Sequence, residues 1–203
     1  MATALDLPPR TLVDFLAWED QQPERYERVD GVIRMMTGGT TDHNRITRDV
    51  TQMLASRLQE SGCEVFTSDV KVTTPAGDVM YPDVVVACGE IPGKATRLEA
   101  PVVVVEVLSE STAERDHGRK RWAYQTIPSL RHYLLVDQNE AGAEVASRAD
   151  DGSWRSLVHR GLDARLRLDA LGVELGLDEI FARVTFAPAS SSGERAEGSQ
   201  RSD

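Results

Sequence analysis

The stretch PVVVVEVLSEST, residues 101–112, decides the fold. Residues 102–105 are four consecutive valines, with no alternation between apolar and polar positions. β-branched side chains favour strands, and a continuous apolar run marks a strand covered on both faces. Such a strand lies inside a sheet with helices or another sheet packed on each side. Glu106 interrupts the run. A buried carboxylate without compensation costs several kcal/mol, a large share of a domain's stability, on the order of 5–15 kcal/mol. The sequence therefore needs a partner for Glu106.

A second acid sits in similar surroundings. In MYPDVVVAC, residues 80–88, Asp83 follows Pro82 and precedes three valines. The interval between Asp83 and Glu106 holds a loop and two neighbouring strands. If those strands pair, both carboxylates enter one pocket. A lone acid at a strand end is ordinarily solvated or satisfied by backbone donors; a pair behind valines points to a site. Two hard oxygen ligands with waters suit Mg²⁺, which favours octahedral oxygen coordination and keeps several waters. Such an ion lowers the pKa of a bound water and stabilises developing phosphoryl charge.

The surrounding pattern is mixed. Residues 8–22 read as a short amphipathic helix with Leu12, Phe15 and Leu16 at helical spacing. Residues 25–36 read as a hairpin turning at VDG. From Asp42 to Ser61, apolar residues recur at Ile46, Val50, Met53, Leu54 and Leu58, predicting a helix that Gly62 ends. Strands are expected in CEVFTSD, VKVTT and MYPDVVVAC, and residues 90–100 read as a loop with at most a turn of helix. The segment STAERDHGRKRWAYQT reads as a helix opened by a capping box of Ser111 and Glu114. A strand in IPSLRHYLLVDQ, a hairpin over residues 141–160 turning at DDG, a strand-like piece and a short helix complete the order. The expected fold is α/β (α+β), a central mixed β-sheet flanked by helices. Residues 1–186 form a single domain, and residues 187–203, without large apolar side chains, form a disordered tail.

The net charge is −10, which weighs against nucleic-acid binding, because phosphate contacts need a basic surface. Between Thr112 and Tyr124, however, Arg115, Arg119, Lys120 and Arg121 outnumber Glu114 and Asp116. Asp116, Lys120 and Tyr124 are spaced by four and share a helix face. By spacing alone, a solvated helix face with an ordinary Asp116–Lys120 pair is the favoured reading. No apolar run approaches the roughly 18 residues of a membrane helix, and no secretory signal precedes the domain. Cys63 and Cys88 match no metal or redox spacing and read as buried reduced thiols of a cytoplasmic protein.

The pieces YERVDG, DHNRI, YPDVVV, VVVVEVLSEST, RDHGRKRWAY, IPSLRHYLLVD and LGLDEIF occur in that order. In this combination, from about residue 10 to residue 184, the chain resembles the Uma-two type of restriction endonuclease, a branch of the PD-(D/E)xK nuclease superfamily. The resemblance implies a restriction-endonuclease-like core and hydrolysis of DNA phosphodiester bonds dependent on Mg²⁺ or Mn²⁺. It makes Asp83 and Glu106 metal ligands. The superfamily's lysine, two positions after the second acid, is replaced by Leu108, and Lys120 from the following helix matches a substitute. Glu27 matches a family acid, as a further ligand or general base, and is otherwise a surface charge of the hairpin. His43 matches a recurring position near the site, and is otherwise an interior or capping residue. Arg121 is a candidate phosphate contact. Tyr124 is expected to pack the helix onto the sheet. Nucleases of this fold often act as homodimers. The competing reading is a nuclease-fold module with weak or lost catalysis that binds nucleic acid or a protein partner; RNA or another phosphodiester is a third possibility for the same site.

Overall fold

The computed structural model describes residues 9–108 and 115–186. The expected capping box at Ser111 and Glu114 and the C-terminal tail lie outside those residues. Helix α1 (Leu12–Glu19) begins where the Thr11 side chain accepts from the Asp14 backbone N–H, and it buries Phe15. Strands β1 (Tyr26–Val29) and β2 (Val32–Met35) form the hairpin read from the sequence. Its turn holds Asp30 at φ 51° and Gly31 at φ 73°, the positive angles that a tight two-residue hairpin needs. Helix α2 (Thr41–Arg57) starts at a Thr40 cap and buries Ile46, Val50 and Leu54 along one stripe. The expected helix is longer than the observed one; turns carry the chain from Arg57 to Gly62.

Seven strands follow in two sheets: β3 (Cys63–Thr67), β4 (Lys71–Thr73), β5 (Val79–Met80), β6 (Val84–Cys88), β7 (Arg97–Leu98) and β8 (Pro101–Leu108), then, after helix α3 (Arg115–Gln125), β9 (His132–Asp137). The chain ends with β10 (Gly142–Arg148), β11 (Trp154–Arg160), β12 (Arg165–Leu168), β13 (Val173–Gly176) and helix α4 (Leu177–Ile180). The central sheet has the order β11-β10-β9-β8-β6-β3. Its pairs are antiparallel except β8 with β9, which are parallel and joined through α3. A smaller sheet has the order β2-β1-β5-β4-β7. This is the mixed sheet with flanking helices expected from the four valines.

The alternation of β8 explains its unbroken apolar run. Val103, Val105 and Val107 belong to the core under α2, together with Val84 and Val86 of β6. Leu166, Leu175 and Ile180 from β12, β13 and α4 enlarge that core. Val104 and Val85 face the opposite core, beside Tyr124 and Ile127 from the α3 region and Val72 and Met80 of the smaller sheet. Each fully buried valine contributes about 1.5–3 kcal/mol over an exposed one. No helix among the described residues is long and apolar enough to cross a membrane.

Three expectations change. MYPDVVVAC is not one strand: β5 belongs to the smaller sheet and β6 to the central one, and the chain crosses between them at residues 81–83. Pro82 lacks the N–H of a ladder residue, so the break falls beside it. The loop over residues 90–100 contributes β7, which pairs in parallel with β4. Cys63 and Cys88 are not buried thiols. They stand opposite each other on antiparallel β3 and β6 and form a disulfide. Sequence spacing hid this pairing, since the register of two strands created it. Mass spectrometry after alkylation of unreduced, unfolded protein should show no label on either cysteine, and both should be labelled after reduction. Labelling before reduction would contradict the bridge.

Candidate active site

The register of β6 and β8 positions the two acids. Val84 pairs with Val105 and Val85 with Val104, so one step beyond the ladder Asp83 faces Glu106. Asp83 lies in the crossing between the sheets, and its Oδ2 accepts from the Val107 backbone N–H at 2.8 Å. Alternation turns Glu106 away from α2 and towards α3. There its Oε1 accepts from the Tyr124 hydroxyl at 2.9 Å and from Lys120 Nζ at 3.4 Å. Lys120 and Tyr124 are one helical turn apart and reach the same carboxylate. Lys120 Nζ also donates to Glu27 Oε1 at 2.9 Å. Glu27 comes from β1 in the other sheet, and the Tyr81 backbone N–H holds it at 3.0 Å. Two sheets and a helix therefore converge on one lysine.

His43, in the first turn of α2, places Nε2 3.3 Å from Asp83 Oδ2. Thr40 caps this turn at the His43 N–H and donates its hydroxyl to Gln138. The structure thus brings together Asp83, Glu106, Lys120, Glu27 and His43. It does not bring Arg121 to them: that guanidinium donates to Glu144 at 2.6 Å and to Ser156. The hydroxyl of Tyr124 is a contact that the sequence reading missed, having given the residue a packing role only. The spacing Lys120–Tyr124 carried the signal, because it aligned both with whatever Lys120 touches. Nothing in the sequence points to the Tyr81 main chain as the support for Glu27.

The electrostatics follow from this crowding. Burial pushes the Glu106 carboxyl up to about 7; Lys120 opposes the shift, and Asp83 and Glu27 add to it. Burial works against charge on Lys120, but Glu106 and Glu27 outweigh it and hold the ammonium above its usual range. Lys120 is therefore protonated at neutral pH. The hydrogen bond to Asp83 raises His43, against burial, with the Asp83 and Glu106 charges assisting. Burial first, then the charge of Glu106, keeps the Tyr124 hydroxyl protonated.

This donor set fits a hard divalent cation. Three carboxylates, Asp83, Glu106 and Glu27, gather about one ammonium; burial is the main reason the Glu106 carboxyl is raised, and the Asp83 and Glu27 charges add to it. Among the described residues no group of three or more His, Cys, Asp or Glu side chains is placed to hold a metal ion, so an ion here would rest on Asp83 and Glu106 with water. A two-carboxylate site completed by water is the arrangement Mg²⁺ commonly takes.

The sheet order, the parallel β8–α3–β9 crossover and the flanking helices define a mixed α/β domain. The family described as "Putative restriction endonuclease" (Uma2) matches residues 12–178, and the chain belongs to that family. Two Synechocystis sp. proteins are similar. Uncharacterized protein slr1290 is 34% identical over 85% of this chain and 92% of its own length. Uncharacterized protein sll1609 is 31% identical over 80% of this chain and 94% of its own. A crystal structure described as a putative nuclease belonging to DUF820, from Anabaena variabilis, shares the fold with a TM-score of 0.71. It is 19% identical and covers 86% of this chain and 98% of its own.

The shifts of Glu106 and His43 act in one direction on the metal-free protein. Both groups hold a proton more tightly folded than unfolded, so the folded state binds more protons above the unfolded values of 4.5 and 6.5. Stability therefore falls as pH rises through that window, for Glu106 between 4.5 and about 7. Denaturant midpoints in chelator should drop between about pH 5 and about pH 8, and Glu106→Gln should drop less. An equal drop in the variant would remove Glu106 as the source.

Proposed function

We propose that this chain is a nuclease that hydrolyses DNA phosphodiester bonds with a divalent metal, Mg²⁺ or Mn²⁺, held by Asp83 and Glu106. The observation that carries the reading is the convergence of Lys120 from α3 on Glu106 and Glu27, beside Asp83. Leu108 occupies the position two residues after Glu106, and a charged amine reaches that carboxylate from the helix instead. When bound, a divalent cation would polarise the scissile phosphate and lower the pKa of an attacking water.

The chain's own groups do the remaining work. Glu106 offers carboxylate oxygens from β8 and Asp83 from the crossing just before β6, and the Val107 N–H fixes the orientation of Asp83. His43 steadies the same carboxylate from α2. The Tyr124 hydroxyl orients Glu106 by donating to it. Lys120 stays charged, so it acts as a donor and positive charge towards the phosphoryl oxygens or the water, rather than as a base. Glu27 aims the ammonium and takes a share of its charge.

A catalytically weak binding module is the competing reading, and the net charge of −10 favours it. Mn²⁺ titration by calorimetry together with cleavage of labelled DNA separates the two. Intact protein should bind Mn²⁺ and cut, and Asp83→Ala and Glu106→Ala should do neither. Lys120→Ala should retain Mn²⁺ binding and cut about 10²-fold more slowly, the usual effect of removing one transition-state donor. Unchanged cleavage in all three variants would sink the assignment.

A further inference from the structure

A pocket opens directly beside Lys120 and Glu27, walled by Val29 and Val32 of the β1–β2 hairpin and rimmed by Arg34 and Arg119. Its chemistry is unlike that of the carboxylate cluster it adjoins. The wall is aliphatic, with Val32 exposed at 40%, and among the described residues that line it three side chains are cationic and one, Glu27, is a carboxylate. Arg119 is exposed on α3, one residue from Lys120, and Trp122 lies three residues further on, 75% exposed. Residues three apart are neighbours on a helix surface, so an arginine and a bare indole continue the track beyond the pocket. An aliphatic wall accepts the face of a base, guanidinium groups accept phosphate, and an exposed aromatic ring accepts a stacked base.

We propose that this pocket receives an unpaired nucleotide next to the phosphodiester that is cut, making single-stranded nucleic acid the preferred substrate class. The proposal rests on the nuclease reading, which places the scissile phosphate at Lys120. Charge decides between single strand and duplex. A duplex binder of ordinary affinity neutralises several phosphates, typically about 6–10, across a broad basic face. This chain carries −10 overall, and among the described residues the cations that line this pocket are Arg34, Arg119 and Lys120. That rim serves one or two phosphates. The aliphatic wall is used only if a base leaves its stack, which is costly in a duplex and nearly free in a single strand. Arg34 and Arg119 then hold the flanking phosphate, Val29 and Val32 pack on the base, and Trp122 stacks with the next.

The test is fluorescence anisotropy with a mixed-sequence single-stranded DNA oligonucleotide and the same sequence as duplex. It is run in chelator so that binding is read without metal or cleavage. The intact protein should prefer the single strand. Arg119→Ala and Val32→Glu, both at exposed positions, should weaken binding about tenfold, the scale of losing one base or phosphate contact. Arg119→Ala should also lower the salt slope by about 0.7, the value for one single-strand phosphate. Arg160→Ala, on the far strand β11 and paired with Glu140, serves as the control and should bind as the intact protein does. Preference for duplex, no binding of either oligonucleotide, or equal weakening in the control overturns the pocket assignment. Mn²⁺ calorimetry on the same variants reports the nuclease reading separately: oligonucleotide binding without Mn²⁺ binding defeats that reading and leaves the pocket standing.

Discussion

The burial of Glu106 in the central strand is the constraint to which the rest of the site answers. The residue is 7% exposed, and its neighbours along β8 pack into cores on both sides of the sheet. An ionised carboxylate in such a place needs hydrogen bonds and a counter-charge. Tyr124 supplies a hydroxyl and Lys120 an ammonium, both from α3. Yet Asp83 stands across the ladder and Glu27 beyond Lys120, so the added cation does not balance the acids. A domain selected for stability alone does better with apolar residues of similar volume at such a position. Surplus charge held at such a buried position is a feature that functional sites share, and it is why this cluster is the candidate.

Support for the cluster extends into the smaller sheet. Lys71, itself buried, pairs with Glu19 of α1 at 2.6 Å, and Glu19 accepts from the Tyr81 hydroxyl at 2.6 Å. The main-chain N–H of the same Tyr81 holds Glu27. The first helix is thus fastened to the crossing that delivers Asp83 two residues later. Local capping and hairpin geometry build α1, β1 and β2, but their use is to fix one carboxylate opposite Lys120.

The strand identity of residues 101–108 was legible from local pattern, whereas the facing of Asp83 with Glu106 was legible only on the condition that their strands pair, which the register of β6 and β8 supplies. Four valines announce a strand buried on both faces, and alternation assigns Glu106 to one of them. The division of MYPDVVVAC was less legible, since Pro82 marks a break without saying that the chain changes sheets. The Cys63–Cys88 bridge depends on the register of β3 and β6, a long-range property. Arg121 shows the limit of composition: it adds to the basic balance of α3, yet it points to Glu144 and Ser156 on the neighbouring strands. Helical phase, which the local charge count ignores, separates it from Lys120.

Placing the amine on a helix has a structural consequence. A lysine at position 108 would be tied to Glu106 by strand geometry alone. Lys120 reaches the same carboxylate only while α3 keeps its rotation and height above the sheet. Tyr124 fixes that placement, since it is fully buried in the second core, packs in a tilted contact at 5.3 Å on Tyr133 of β9 and donates to Glu106. The packing of α3 and the position of the ammonium are therefore one variable. A change in the core beneath α3 moves the charge at the site without touching any of its carboxylates. The same rotation sets Arg119 against the β1–β2 hairpin, so the pocket and the carboxylate cluster are aligned by a single helix.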